Sequence, residues 1–418
     1  MVSIVVRVLL FYFILLLLDF YVFSGIKSII YSDRLRVIFG WIYWSVSVLF
    51  LVLCTYVFLT FSRNTGPSAP SVKWTMAAFV FLYIPKLFIF FFLGIEDVYR
   101  IIRAFCVTIY KIVGNDPSSS ISFFESRRKF FGQMAALIAT IPALGILYGI
   151  TKGKYNFKIH RVELAFKNLP DAFNGTTITQ ISDLHIGSFD DKEEVLRAVN
   201  MINAEKSDLI LFTGDLVNNT ADEMTPWMNV INKLTAPMGK YSILGNHDYG
   251  DYAEWPSTEA KKANMEQLFK IHDELGFKLL RNENTRIEKN NSYIELLGME
   301  NWGAGFAKYG DFKKTLLGTQ KDSFKILMSH DPSHWEKEVM QHSEQIDITL
   351  AGHTHGMQFG LEIPGIKISP IQLKYKRWAG LYEENNRFLY VNRGLGFIGF
   401  PGRVGIWPEI TVITLKVA

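Results

Sequence analysis

The sequence predicts a two-part chain, an N-terminal bundle of four transmembrane helices followed by a C-terminal α/β sandwich with mixed sheets. Three observations predict it. Apolar residues make up 49% of the 418 positions, and their long runs lie before residue 155. Beyond it, short β-branched runs alternate with helical patterns early and crowd together later. Several of those runs end on Asp, Asn or His. The division falls between residues 1–154 and 155–418.

The four apolar stretches are residues 2–23, 37–61, 74–93 and 130–150. Each is close to the ~20 residues a helix needs to cross ~30 Å of hydrocarbon. The first has too long an apolar core for a signal peptide and no small-residue cleavage site, so it reads as a helix that stays. Residues 96–113 set Arg100, Arg103 and Lys111 among apolar residues at helical spacing, which predicts a separate interfacial helix. Residues 114–120, Gly-Asn-Asp-Pro and three serines, read as a turn and short linker. Asp19 and Lys86 fall at similar depth in the first and third spans, and charges there are expected to pair. Arg7 is expected to snorkel to the nearby interface.

Basic residues set the orientation. Lys27, Arg34 and Arg36 share one side with Arg100, Arg103, Lys111, Arg127, Arg128 and Lys129. Arg63, Lys73, Lys152, Lys154 and Lys158 lie on the other. The heavier side is expected in the cytoplasm, leaving the C-terminal domain outside it. Arg127-Arg128 before the fourth span resembles a bacterial twin-arginine export signal; a plain basic flank gives the same bias.

In the second part, residues 157–166 alternate as an edge strand and 176–181 form a β-branched strand. Helical spacing covers 191–203, 227–234 and 259–275. Further strands are expected at 209–212, 241–244, 278–280, 292–297, 324–328, 346–350, 389–391 and 410–415. Residues 298–321 form an aromatic insert with Trp302, Phe306, Tyr309 and Phe312, either a roof over a pocket or a packing loop. Residues 356–382 mix aliphatic residues with Lys367, Lys374, Lys376 and Arg377. They read as two amphipathic strands on the domain, or as a face toward the bilayer that admits a lipid-linked phosphate.

The net charge of +4 comes without a basic stripe interleaved with aromatics, so no nucleic-acid partner is expected. Cys54 and Cys106 are the only cysteines and lie before residue 155, which excludes a disulfide framework and a thiolate metal site.

The chemistry sits in five blocks: Asp183-Leu184-His185, Gly214-Asp215, Gly245-Asn246-His247-Asp248, His330 and Gly352-His353-Thr354-His355. Oxygen and imidazole donors without thiolates suit two divalent ions such as Mn, Fe or Zn. Such a pair lowers the pKa of water and clamps phosphoryl oxygens. Gly214, Gly245 and Gly352 stand where backbone must approach a ligand closely or take an unusual conformation. Among the remaining histidines, His160, His272 and His342 read as surface or helix residues, while His334, four after His330, could face substrate. Arg393 suits a phosphate oxygen or a carboxylate, and Trp378, in the apolar segment beside the metal histidines, is expected with Arg393 and His334 to contact substrate.

The order of these blocks over residues 178–397 resembles the calcineurin-like metallophosphoesterase superfamily, and with the preceding helices its bacterial membrane-associated branch. The segments Tyr375 to Tyr382 and Asn392 to Gly396 are similar to that branch as well. The resemblance implies that Asp183, His185 and His355 hold one metal, that Asn246, His330 and His353 hold the second, and that Asp215 bridges them. It implies that His247 assists the leaving group and that Asp248 orients His247. The expected function is hydrolysis of a phosphomonoester, phosphodiester or pyrophosphate bond by an enzyme anchored in a bacterial inner or plasma membrane, with an amphiphilic or envelope substrate. The alternatives are a cytoplasm-facing hydrolase of the UDP-diacylglucosamine type and, from another class, a transporter or sensor with a regulatory domain.

Overall fold

The computed structural model describes residues 2–61, 69–114 and 125–418. The chain forms two compact units, one built on the N-terminal helices and one running from Gly149 to Ala418 that also takes in the short segment ending at Lys73.

The first unit consists of α1 (Val2–Lys27), α2 (Asp33–Phe61), α3 (Pro70–Gly114) and α4 (Glu125–Thr151). All four are long and apolar enough to cross a membrane. Their outward side chains include Leu9, Phe20, Trp41 and Leu59, all exposed. A helix apolar all round suits lipid rather than water. The expected separate interfacial helix is absent: α3 continues without a break for 45 residues, despite Pro85. The charges that looked like an interruption support the helix instead, because Arg100 reaches Asp97 at 3.2 Å and Glu96 at 3.8 Å, one turn back. The turn expected over residues 115–120 lies outside the described residues, as do the side chains of Arg127 and Arg128.

Asp19 and Lys86 do pair. Lys86 Nζ lies 2.5 Å from Asp19 Oδ1, and both residues are buried. The hydroxyls of Tyr43 and Tyr83 donate to the same carboxylate at 3.1 Å each. Removing one partner strands a buried charge, which costs about 3–5 kcal/mol. Lys86→Met is therefore expected to lower resistance to denaturing detergent by that order, and the Lys86→Met/Asp19→Asn double variant to recover much of it. A detergent titration followed by circular dichroism reads both.

The second unit is a sandwich of two six-stranded sheets. Its strands are β1 (Lys158–Phe166), β2 (Thr177–Ile181), β3 (Leu209–Phe212), β4 (Lys240–Ser242), β5 (Phe277–Leu279), β6 (Glu283–Lys289), β7 (Ser292–Gly298), β8 (Lys325–Met328), β9 (Ile348–Ala351), β10 (Leu361–Ile363), β11 (Ile366–Ile368), β12 (Gly380–Glu384), β13 (Arg387–Val391) and β14 (Glu409–Val417). One sheet runs β1-β14-β2-β3-β4-β5 and the other β12-β13-β9-β8-β7-β6; β10 and β11 form a separate ribbon. Both sheets are mixed: β2 to β5 are parallel with β14 antiparallel to β2, while β7, β8, β9 and β13 are parallel between antiparallel edges.

Period-two alternation explains the packing. In β3, Leu209 and Leu211 face the inter-sheet core while Ile210 and Phe212 face α5 (Lys192–Ala204). In β8, Ile326 and Met328 face the same inter-sheet core and Leu327 the outer one. Strands buried on both faces read as unbroken apolar runs, which is why they were legible. The helix expected at 227–234 is instead a 3-10 segment, Ala221–Trp227, and one turn of α6, Met228–Ile231, with Pro226 in the first of them.

His272 lies on α7 (Thr258–Glu274), fully buried, with Nδ1 2.9 Å from Ser242 Oγ. Burial pushes its imidazole down to about 4. The unfolded chain binds that proton from about pH 6.5 downward, so stability falls as pH drops from 6.5 to 4, by about 3 kcal/mol in all. His272→Gln should flatten that part of a plot of melting temperature against pH.

Candidate metal centre

The five sequence blocks all lie on loops just beyond the carboxyl ends of parallel strands. Asp183 and His185 follow β2, Asp215 follows β3, Asn246 and His247 follow β4, His330 follows β8, and His353 and His355 follow β9. Ligand loops at strand ends are held by the rigid sheet behind them. Backbone pairing continues past the strands: Asp183 N–H donates to Gly214 O at 2.9 Å and His185 N–H to Asp215 O at 3.1 Å. The two sheets are joined at the site itself, where His353 N–H donates to the Asp183 carboxylate at 2.9 Å.

The loops are strained. Asp183, His185, Asp215, His353 and His355 all have positive φ, between 43° and 70°. Non-glycine residues occupy that region at a cost and tend to do so at functional sites. Two glycines make the crowding possible. A Cβ on Gly245 would lie 2.2 Å from Asp215 Oδ1, and one on Gly352 would lie 2.0 Å from Ser182 Oγ and 2.2 Å from Asp183 Oδ2.

Three overlapping groups offer ligand atoms within 4.8 Å of one another: Asp183, His185 and His355; His185, Asp215 and His247; and Asp215, His330 and His353. Asp215 belongs to two of them, with Oδ2 3.4 Å from His185 Nε2 and 3.1 Å from His330 Nε2. Several buried nitrogen and oxygen atoms have no hydrogen-bond partner among the described residues, namely both ring nitrogens of His185, Asn246 Oδ1, His330 Nε2 and His353 Nδ1. Buried polar atoms left without partners call for an explanation, and divalent cations held by this nitrogen and oxygen set supply one. Burial would push the Asp183 and Asp215 carboxyls up, but the imidazoles beside them outweigh it and hold both below the usual carboxylate range.

Except for His185, the histidines of the cluster have a partner on the other ring nitrogen. His330 Nδ1 donates to Thr213 O at 2.7 Å, leaving Nε2 for the cluster. His353 Nε2 lies 2.9 Å from the Tyr375 hydroxyl, leaving Nδ1. His355 Nδ1 faces the buried Arg403 guanidinium at 3.2 Å. The expectation that Asp248 orients His247 is corrected. His247 Nδ1 lies 2.8 Å from Asn218 O, and a carbonyl can only accept, so Asn218 fixes the tautomer. Asp248 accepts instead from the backbone N–H groups of Gly245, Asp215, Leu216 and Val217, at 2.9, 2.8, 2.8 and 3.3 Å. It ties the two loops that carry Asp215 and Asn246. Burial pushes the His247 imidazole down to about 4.

The three substrate-binding expectations are also corrected. Arg393 is buried between two carboxylates, with Glu362 3.0 Å from its Nε and Glu409 against Nη1. His334 is fully buried, its Nδ1 2.9 Å from Ser329 Oγ and its Nε2 3.3 Å from Glu338. Trp378 is buried in a small cluster with Tyr375, Ala379 and Ile406. Other aromatic rings stand beside the ligands. Tyr252 lies 4.4 Å from the His247 ring and its hydroxyl accepts from Asn246 Nδ2 at 3.0 Å. Phe306, from the aromatic insert, meets His353 edge-on at 4.8 Å. The exposed Lys374 ammonium lies 5.2 Å from the Phe306 ring. Asn218, Tyr252 and Arg403 carried no sequence signal, because their parts depend on chain crossings far from the motifs.

Comparison with known proteins accords with this geometry. Residues 176–357 match the family model for calcineurin-like phosphoesterases, and residues 4–154 match that for the probable calcineurin-like phosphoesterase transmembrane domain. The chain is 33% identical to the metallophosphoesterase YkuE of Bacillus subtilis, over 70% of this chain and 98% of that one. It is 27% identical to the transmembrane protein with metallophosphoesterase domain of Danio rerio, over 85% and 83% of the two chains. It is 28% identical to the phosphodiesterase YaeI of Escherichia coli, over 69% and 99%.

Proposed function

Because the chain belongs to the calcineurin-like phosphoesterase family, as a metal-dependent phosphoric ester hydrolase with a transmembrane domain, we propose that it holds two divalent cations and cleaves an amphiphilic or envelope phosphoester. One observation supports the metal count: Asp215 belongs to two ligand groups, one with His185 and His247 and one with His330 and His353. Asp183, His185 and His355 would hold one cation, Asn246, His330 and His353 the other, with Asp215 between them. The cations, when bound, would polarise phosphoryl oxygens and activate water. The chain's own residues do the rest. With Nδ1–H committed to Asn218, His247 presents the Nε2 lone pair, which can take up a proton and hand it to the leaving oxygen. Asp248 fixes the loops that present Asp215 and Asn246, and the half-buried rings of Tyr252 and Phe306 give an apolar group beside phosphorus something to pack on.

The basic residues flanking the spans favour a catalytic domain outside the cytoplasm of a bacterial plasma membrane. Turnover of bis(4-nitrophenyl) phosphate by the full chain loaded in turn with Mn, Fe, Zn, Ni and Co tests the enzyme reading. Inactivity with all five would favour a sensor or transporter. Reporter fusions after Ala418 test the side, and a cytoplasmic signal would favour the nucleotide-linked lipid precursor reading.

A further inference from the structure

The β10–β11 ribbon is built inside out. Its register pairs Leu361 with Ile368, Glu362 with Lys367 and Ile363 with Ile366 across a Pro364-Gly365 turn. Directly opposed residues of an antiparallel pair share a face, so the four aliphatic side chains form one face and the two charged ones the other. The charged face is the one that packs on the domain. Glu362 accepts from Arg393, and the Lys367 ammonium lies over the rings of Trp378 and Tyr382 at 5.4 and 5.3 Å. The aliphatic face points out, with Leu361, Ile363, Ile366 and Ile368 at 48, 47, 43 and 51% exposure. Leu373, on the short 3-10 turn that follows, is 91% exposed. A ribbon in water keeps its apolar face inward, and clustered exposed apolar side chains mark a contact surface.

We infer that this ribbon seats in the lipid bilayer and brings membrane-borne phosphoesters to the metal centre. Three observations choose the bilayer as occupant. The same chain carries four helices long and apolar enough to cross a membrane, the last ending at Thr151, seven positions before β1 begins at Lys158. The ribbon's apolar side chains are followed by exposed Lys374 and Lys376, the pairing of aliphatic and basic groups that binds an anionic lipid surface. The segment is also joined to the site: two residues after Leu373, the Tyr375 hydroxyl lies 2.9 Å from His353 Nε2. A lipid whose tails share the ribbon's environment would have its headgroup near Tyr375 and the rings beside the ligands. What the ribbon delivers rests on the phosphoesterase reading; its insertion does not.

The test uses the full chain with Cys54 and Cys106 replaced by alanine, its only cysteines, reconstituted in phosphatidylcholine–phosphatidylglycerol vesicles. A nitrobenzoxadiazole label is placed by Ile363→Cys or, in a second protein, Ile366→Cys, with Glu288→Cys on β6 as the reference position. Insertion predicts blue-shifted emission at 363 and 366 and quenching by doxyl-labelled lipid about twofold or more above that at 288. Emission like that of a label in water at both positions overturns the inference. So does a blue shift without lipid quenching, which would place a protein there instead. Because the readout involves no turnover, an inserted label on an inactive enzyme sinks the phosphoesterase reading alone, and an aqueous label on an active enzyme sinks the ribbon's role alone.

Discussion

Asp215→Asn is expected to lower phosphoester turnover by about a thousand-fold or more and to reduce the metal retained after gel filtration, while the domain stays folded. The side chain is isosteric, and Oδ1 can still accept from His247 N–H, now at 2.8 Å. What disappears is the negative charge that two ligand groups share. The amide that replaces Oδ2 would put N–H bonds toward His185 and His330, where a cation needs a lone pair. Metal analysis beside the rate separates this account from a purely structural one. Full activity with full metal content would refute the assignment of Asp215.

Asp248→Ala should be the most damaging change to stability near the site, although Asp248 is not itself expected to hold metal. Its carboxylate collects four backbone N–H groups from two loops. Each buried donor left unpaired costs about 1–3 kcal/mol. Some will find water, so the expected loss is roughly 3–6 kcal/mol, with Asp215 and Asn246 displaced and metal lost. His247→Gln gives the contrast. It should cost about 10²–10⁴-fold in rate and leave metal content and melting temperature near wild type. Had Asp248 served only to orient His247, the two variants would behave alike in denaturant titrations.

The metal blocks were legible because chemistry forces their residue types and the sheets force their spacing. An apolar run such as Leu209 to Phe212 has to be a strand buried on both faces, and Asp215 follows it directly. The strands the sequence missed are polar or exposed. β6 reads Glu-Asn-Thr-Arg-Ile-Glu-Lys, an edge held by its neighbour rather than by burial. β10 and β11 escaped individual recognition because their apolar side chains face outward. Arg393, His334 and Trp378 went astray for one reason. Residue type says what a side chain can bind, whereas burial and partners decide what it does bind. The Asn218 carbonyl, which aims His247, has no sequence signature because any residue carries one.

The candidate ligands are drawn from both sheets, Asp183, Asp215 and Asn246 from one and His330, His353 and His355 from the other. A cation held there is a clasp between two halves of a β-sandwich, and its binding free energy adds to that of folding. Scarcity of metal would then be felt as a narrower margin of stability as well as slowed turnover. Core substitutions tolerated by a well-supplied cell would become lethal to the fold in a starved one, so nutrition would set how much sequence variation this domain can carry.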